Sequence, residues 1–291
     1  MSEPFLRRLA RRTQAVGTVL CLGIDPTPEM LPEGWPGGLP GVERLARLIV
    51  EVAAPHAAAV KPNLAFFEAY GSAGIASLER VLRAVPAGVL VVADAKRGDV
   101  ETTAARQAVA LYDVLGADAV TVSPYLGLGA LEAFVGRSDR FAYVLCRTSN
   151  PGAGELQDLL VAADDELDAP AEPLHHRVAR RVQAAGLGDR AGLVVGATAP
   201  AELAAIRDLV PGLAFLVPGV GAQGGDAPPV LAAGPATTGA AGSGTGGGLL
   251  VNVSRGIAAA AARRSPSDAA DPGERLEAAA RGWAATLAVL S

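Results

Sequence analysis

Hydrophobic positions in this chain fall into two alternating kinds of segment. The first kind is short and almost continuously apolar: residues 18–25 (TVLCLGID), 58–63 (AAVKPN), 88–96 (GVLVVADAK), 118–125 (DAVTVSPY), 141–149 (FAYVLCRTS), 192–198 (GLVVGAT), 213–221 (LAFLVPGVG) and 249–256 (LLVNVSRG). Runs that do not alternate apolar with polar are what strands buried on both faces of a parallel sheet look like. The second kind is longer and amphipathic, with apolar residues returning every three or four positions, over 41–53, 77–85, 103–116, 176–186 and 200–210. That spacing predicts helices with one buried face. Strand and helix alternate, and eight such units predict an α/β fold of the (β/α)8 TIM barrel type; a doubly wound open sheet is the second choice.

Two segments fall outside the repeat. Residues 161–173 (VAADDELDAPAEP) are acidic and contain proline, and 234–248 (GPATTGAAGSGTGGG) form a Gly/Thr/Ser tract without core-forming residues. Both read as surface insertions in a single domain spanning 1–291, the second with the composition of a disordered excursion. Too little chain follows residue 248 to build an independent core. Near the start, Arg7, Arg8, Arg11 and Arg12 followed by AVGTVLCLGI imitate a secretory signal. The run ends in Asp25-Pro26 without a small-residue cleavage site, so it reads instead as a helix entering a buried strand. No apolar stretch reaches the roughly 18 residues needed to span a bilayer. The expected location is the cytoplasm, with no membrane partner.

Composition narrows the chemistry. The chain is 50% hydrophobic and 19% charged, which excludes wholesale disorder, and its net charge of −5 lacks the basic footprint of a nucleic-acid binder. Cys21 and Cys146 both lie in apolar runs and offer neither a disulfide framework nor a CxxC site. His56, His175 and His176 show no HExxH or HxH spacing and read as packing or surface residues, so zinc sites and histidine-based triads lack material. Catalysis is expected from lysines and carboxylates.

In a barrel the reacting groups collect at the C-terminal ends of the strands. Asp25 ends the first apolar run, Lys61 and Asn63 the second, and Asp94 and Lys96 the third, with Asp99 just beyond. Ser123 follows the fourth, Arg147, Thr148 and Ser149 the fifth, and Asn252, Ser254 and Arg255 the eighth. The charges among them are expected to converge on one mouth. Because side chains alternate along a strand, Leu90, Val92, Asp94 and Lys96 share one face, pointing into the barrel. Lys61 would complete an alternating Lys/Asp/Lys/Asp set, with Asp99 folding back or reaching a neighbouring subunit; a structural ion-pair network at the rim is the alternative.

After the seventh run, PGVGAQGGD satisfies GxGxxG. It comes late, and no acidic residue lies between Asp226 and Asp268 to bind a ribose about 20 residues on, which argues against a dinucleotide fold. A glycine-rich loop here suits the phosphate site that barrels build after strands seven and eight, with Gln223 and Arg255 as donors; a turn that merely closes the barrel is the alternative. The loop TSNPGAGELQDL (148–159) is either a lid carrying Ser149 or a simple connection. Asp164, Asp165, Glu166 and Asp168 read as a solvated face.

These residues together resemble the orotidine 5′-phosphate decarboxylases, in the bacterial (type 2) subgroup whose signature reads DAKRGD. The resemblance runs through LGIDPTPE, KPNLAFFEAYG, ADAKRGDV, TVSPYLG, RTSNPGAGELQDL, VVGAT, PGVGAQGGD and NVSRGI, in order and each at a strand end. It implies a decarboxylation of orotidine 5′-phosphate to UMP in de novo pyrimidine synthesis, without cofactor or metal, by a homodimer. It implies that Lys96 donates the proton to C6 and that Asp94 sits against the departing carboxylate. Lys61 would bridge the charged set and the ribose, with Asp99 and Thr103 contributed at a site shared across the dimer. Asp25 would contact ribose hydroxyls, with Asn63 a further substrate-binding residue, Ser149 the pyrimidine, and Gln223 with Arg255 the 5′-phosphate. Related barrels of the same superfamily act on sugar phosphates with Mg2+, held by a carboxylate near the end of strand two; here that place is Lys61, a cation that would repel the metal. A non-catalytic phosphate-binding barrel would keep Arg255 and the glycine loop but would not need Lys96.

Overall fold

The computed structural model describes residues 3–262 and 271–289. All eight apolar runs form strands: β1 (Leu20–Ile24), β2 (Ala59–Pro62), β3 (Leu90–Arg97), β4 (Ala119–Val122) and β5 (Phe141–Arg147). Two short strands, β6 (Leu160–Val161) and β7 (Glu172–Pro173), pair as a separate antiparallel ribbon, and β8 (Ala191–Val195), β9 (Phe215–Pro218) and β10 (Leu250–Val253) complete the set. The eight main strands close in the order β1-β10-β9-β8-β5-β4-β3-β2, each parallel to its neighbours. Closure settles the choice against the open sheet and explains the continuous apolar runs, since one face of each strand looks into the barrel and the other toward the helices.

Strand β3 displays that division. Val91 and Ala93 belong to the layer between strands and helices, whereas Leu90 and Val92 join Cys21, Tyr143, Leu216 and Leu250 in a second cluster inside the barrel. The five predicted helices are present within Gly38–Ala53, Gly71–Arg83, Glu101–Ala108, Leu174–Ala184 and Pro200–Leu209, the third continuing as a π-helical stretch over Val109–Val114. The C-terminal helix Pro272–Thr286 starts at a capping box, in which Asp271 accepts from the N–H groups of Gly273 (2.6 Å) and Glu274 (3.0 Å), and Glu274 accepts from Asp271 N–H (3.1 Å).

The N-terminal helix Phe5–Val16 seals the lower end of the barrel. Phe5 stacks on Phe141 with ring centroids 4.8 Å apart, and Phe141 meets Tyr143 edge-on at 4.9 Å. The tract 234–248 corrects an expectation, because it packs beneath the barrel instead of leaving it: Ala236 and Ala241 are buried in the same cluster as Phe5. Its small residues act by close approach, since a Cβ on Gly244 would lie 2.7 Å from the Ala10 side chain and one on Gly246 2.8 Å from Thr13. Low bulk here serves packing. The acidic segment is likewise not one solvated face. Asp164 caps a turn and pairs with Arg177 (3.2 Å) and Arg181 (2.6 Å), and the buried Glu172 is held by Arg177 and Arg180, while Asp165, Glu166 and Asp168 are exposed. Among the described residues no helix is long and apolar enough to cross a membrane.

Candidate active site

Side chains at the upper end of the strands surround a cavity of about 680 Å3 whose lower wall is apolar, formed by Leu145, Val194 and Leu216. Strands β2 and β3 supply its charges. The Asp94 carboxylate accepts from Lys61 Nζ at 2.7 Å through one oxygen, and from Lys96 Nζ at 2.6 Å and Thr121 Oγ1 at 3.0 Å through the other. Lys61 is only 4% exposed, whereas the Lys96 side chain is half exposed.

Burial alone would raise the pKa of Asp94, but the two ammonium groups outweigh it and hold the carboxyl well below its ordinary range. Burial alone would likewise strip Lys61 of its proton; the opposing charge of Asp94, then that of Asp25, keeps it protonated beyond the usual lysine range. Beneath them the buried Cys21 thiol is pushed up to about 12, chiefly by desolvation, and stays neutral. Lys61, Asp94 and Lys96 thus form one contiguous set of three fixed charges.

The backbone under this set is irregular. Lys96 has φ +47°, a left-handed conformation that L residues rarely adopt, and the β3–β4 register shifts between Ala93 and Arg97. The N–H groups of Ala95 and Lys96 both donate to Thr121 Oγ1 at 3.0 Å. Thr121 is absent from the residues singled out in the sequence, where Ser123 stood for strand four. The period-two count applied to β3 would have found it, since Ala119 and Thr121 share a face as Val92 and Asp94 do.

At the ends of the adjoining strands β1 and β10, Asp25 Oδ1, Asn252 Oδ1 and Ser254 Oγ are buried without a hydrogen-bond partner, unusual for polar atoms unless a ligand meets them. Asn63 lines the cavity and accepts from Ala65 N–H at 3.2 Å, fixing the turn after β2. Ser149 donates to Gln223 Oε1 at 2.9 Å, joining the loops after β5 and β9.

In the loop after β9, Gly219 (φ +102°) and Gly221 (φ +77°) adopt conformations that favour glycine. Gly221 N–H donates to Gly225 (2.9 Å), Gly224 N–H to Gly221 (2.8 Å) and Gly225 N–H to Gly219 (3.0 Å), leaving the N–H groups of the cavity-lining Ala222 and Gln223 without an acceptor among the described residues. Arg255, exposed at the cavity edge, also has no partner there. Two free amides, an amide side chain and an unpaired guanidinium make an anion cradle. Both loops rest on one side chain: a Cβ on Gly221 or on Gly256 would lie 2.9 Å from the indole of Trp283.

Some expected residues lie elsewhere. Arg147 turns away from the mouth, its Nε 2.9 Å from Asp158 Oδ1, because the β5–β8 register shifts between Leu145 and Arg147 and breaks the alternation of faces. Ser123 is not on the cavity, its N–H donating to Arg97 O at 2.6 Å. Asp99 and Thr103 do not line it either; Asp99 accepts from the N–H of Val100 at 2.7 Å, and Thr103 is exposed. Val100, next to Asp99 in the chain, is 62% exposed, and Tyr125 and Leu126 in the loop after β4 are 78% and 52% exposed. Of the 148–159 loop, Thr148, Ser149, Asn150 and Gln157 reach the cavity. His175 is buried with Nδ1 2.9 Å from Gln157 O, and His56 faces Glu277 at 3.2 Å, both outside the cavity.

The chain matches the model of the "Orotidine 5'-phosphate decarboxylase / HUMPS family" over residues 18–270. It is 40% identical to the orotidine 5′-phosphate decarboxylase of Herpetosiphon aurantiacus over 267 residues, covering 91% of this chain and 93% of that protein. The corresponding protein of Thermomicrobium roseum is 44% identical over 254 residues, covering 87% and 86%. Among solved structures, Leishmania donovani OMP decarboxylase superposes with a TM-score of 0.77 at 37% identity, over 97% of this chain and 96% of that one.

Proposed function

The chain belongs to the orotidine 5′-phosphate decarboxylase family, and from this premise we propose how its own residues convert orotidine 5′-phosphate to UMP and CO2. The observation that carries the reading is the Asp94 carboxylate held between Lys61 and Lys96 at the open end of a cavity that also contains an anion cradle.

When the C6–carboxylate bond breaks, its electron pair stays on C6, where no carbonyl is placed to delocalise it. A fixed cation at that carbon is the stabiliser the reaction needs, and Lys96 supplies it. The Lys96 ammonium gives its proton to C6, forming UMP, and the neutral amine recovers a proton from solvent. Asp94, kept ionised by Lys61, stands beside the substrate carboxylate and penalises the ground state relative to departing CO2. The unpaired Asp25 oxygen, with Lys61 and Asn63, suits ribose hydroxyls; Ser149 faces the pyrimidine; Gln223 and Arg255 take the 5′-phosphate. Phosphate binding far from C6 favours closure of the loops and so assists the chemical step.

The active form in this reading is a homodimer, in which Asp99 and Thr103 of each chain complete the site of the other. Their position off the chain's own cavity supports it, as do the exposed apolar side chains of Val100 after β3 and of Tyr125 and Leu126 after β4. The segment Asp94-Ala95-Lys96-Arg97-Gly98-Asp99 supports membership of the bacterial DAKRGD subgroup, and the unpaired buried Cys21 and Cys146 suit a reducing cytoplasm. The reaction proceeds without metal or cofactor: both Asp94 oxygens already accept from ammonium groups, and Lys61 stands where a Mg2+-dependent relative would need a carboxylate. Protein dialysed against EDTA is expected to consume orotidine 5′-phosphate at its full rate, followed by ultraviolet absorbance. Activity that returns only on adding Mg2+ would overturn the metal-free reading.

A further inference from the structure

Thr121 takes no part in the scheme above, yet it touches both residues at its centre. The residue is 2% exposed. A hydroxyl has one proton to donate and two lone pairs to accept with, and here all three are used: it donates to Asp94 Oδ1 and accepts from the N–H groups of Ala95 and Lys96, each at 3.0 Å.

The need for such a group follows from the register. Ala93 pairs with Val120 and Arg97 with Val122, so residues 94, 95 and 96 on β3 stand against Thr121 alone on β4. The bulge takes the N–H groups of residues 95 and 96 out of the ladder, and within it Lys96 adopts its left-handed backbone. Backbone N–H groups left unpaired in a buried position are costly, and a conformation of this kind persists only where its surroundings hold it. The Thr121 hydroxyl supplies both missing acceptors and, with its own proton, orients the Asp94 oxygen that Lys96 also contacts.

We propose that Thr121 is a positioning residue for the decarboxylation: its hydroxyl holds the β3 bulge in the shape that presents the Lys96 ammonium to C6 and fixes the facing oxygen of Asp94. The proposal rests on the roles assigned above to Lys96 and Asp94. It requires the hydroxyl and not the methyl group, so valine, of the same shape, fails where serine succeeds.

The test compares wild type, Thr121→Val and Thr121→Ser with orotidine 5′-phosphate, counting rates per site that binds UMP so that unfolded protein does not contribute. Losing hydrogen bonds to a charged group and to the backbone that carries the ammonium is expected to lower kcat of Thr121→Val by about 30-fold or more. KM should stay within about threefold, because the groups assigned to ribose and phosphate sit mainly on other strands and loops. Thr121→Ser is expected to recover kcat to within about threefold of wild type. Per-site kcat of Thr121→Val close to wild type would overturn the proposal, as would a KM rise as large as the kcat loss, or a serine variant as impaired as the valine one. A wild-type protein inactive on orotidine 5′-phosphate would overturn the underlying reading and this proposal together. An active wild type with an unimpaired valine variant would overturn the role of Thr121 alone.

Discussion

Along β2, β3 and β10 the inward-facing side chains change character within two or four residues. On β3 the same face carries Leu90 and Val92 below and Asp94 above; on β2, Ala59 gives way to Lys61; on β10, Leu250 gives way to Asn252. At the lower end these residues meet Phe5, Leu6 and Leu9 from the N-terminal helix and the small residues of 234–248, and the space is filled. At the upper end they border a cavity, with buried oxygens of Asp25 and Asn252 left unpaired and Lys96 in a left-handed conformation. The lower end obeys the packing rules that stabilise a fold, and the upper end breaks several of them where a ligand can compensate. Since both ends share strands, the filled layer sets the geometry in which the charged layer is held.

Substitutions at the two ends should therefore separate turnover from stability. The largest effect is expected from Lys96→Ala, which removes both the proton and the fixed charge and should lower kcat by about 10⁴-fold or more while thermal unfolding shifts little. A residual rate within tenfold of wild type would erase the distinction on the upper side. Phe5→Ala, at the lower end, opens a cavity among rings and should cost about 3 kcal/mol or more, seen as a lower melting temperature. Its kcat, measured well below that temperature, should match wild type; a matching loss of turnover would mean the two ends are not separable. The smallest change is expected from Arg255→Ala at the edge of the mouth, with KM for orotidine 5′-phosphate raised by about 30-fold through loss of a charged contact. Affinity for the unphosphorylated nucleoside should not change, and an equal loss toward both would remove Arg255 from the phosphate site.

The strands were legible in the sequence because burial on two faces leaves a one-dimensional mark, an unbroken apolar run. Lys61 and Asp94 were legible because each stands at the end of such a run at a spacing the pleat converts directly into a direction; Lys96 lies within the β3 bulge, and its ammonium reaches the same site by pairing with Asp94. The remainder depends on relations between segments. The β3 bulge and Thr121 arise from the register of two strands, which neither strand's sequence states alone. Arg147 was misplaced for the same reason, since the register shift on β5 breaks the count of faces. The 234–248 tract was misread because residues too small to form a core by bulk can still pack by close approach, a property visible only once the Ala10 and Thr13 side chains are set against them. Trp283 gave no signal at all: its partners, Gly221 and Gly256, lie 62 and 27 positions away in the chain.

That indole has a bearing on how the protein is made. A nascent chain emerges with Lys61, Asp94 and Lys96 early and the loops of the proposed phosphate site late, and the helix Pro272–Thr286 comes last of the described elements. Its end returns to the first strand, where Leu287 O accepts from Val19 N–H (3.1 Å) and Thr18 Oγ1 (2.9 Å). A chain clipped after Ala258 would thus carry every charged group assigned above, Arg255 included, and all eight barrel strands. It would lack the Trp283 indole against which the loops after β9 and β10 rest, so the proposed anion cradle gains this support after the charges it serves are already in place.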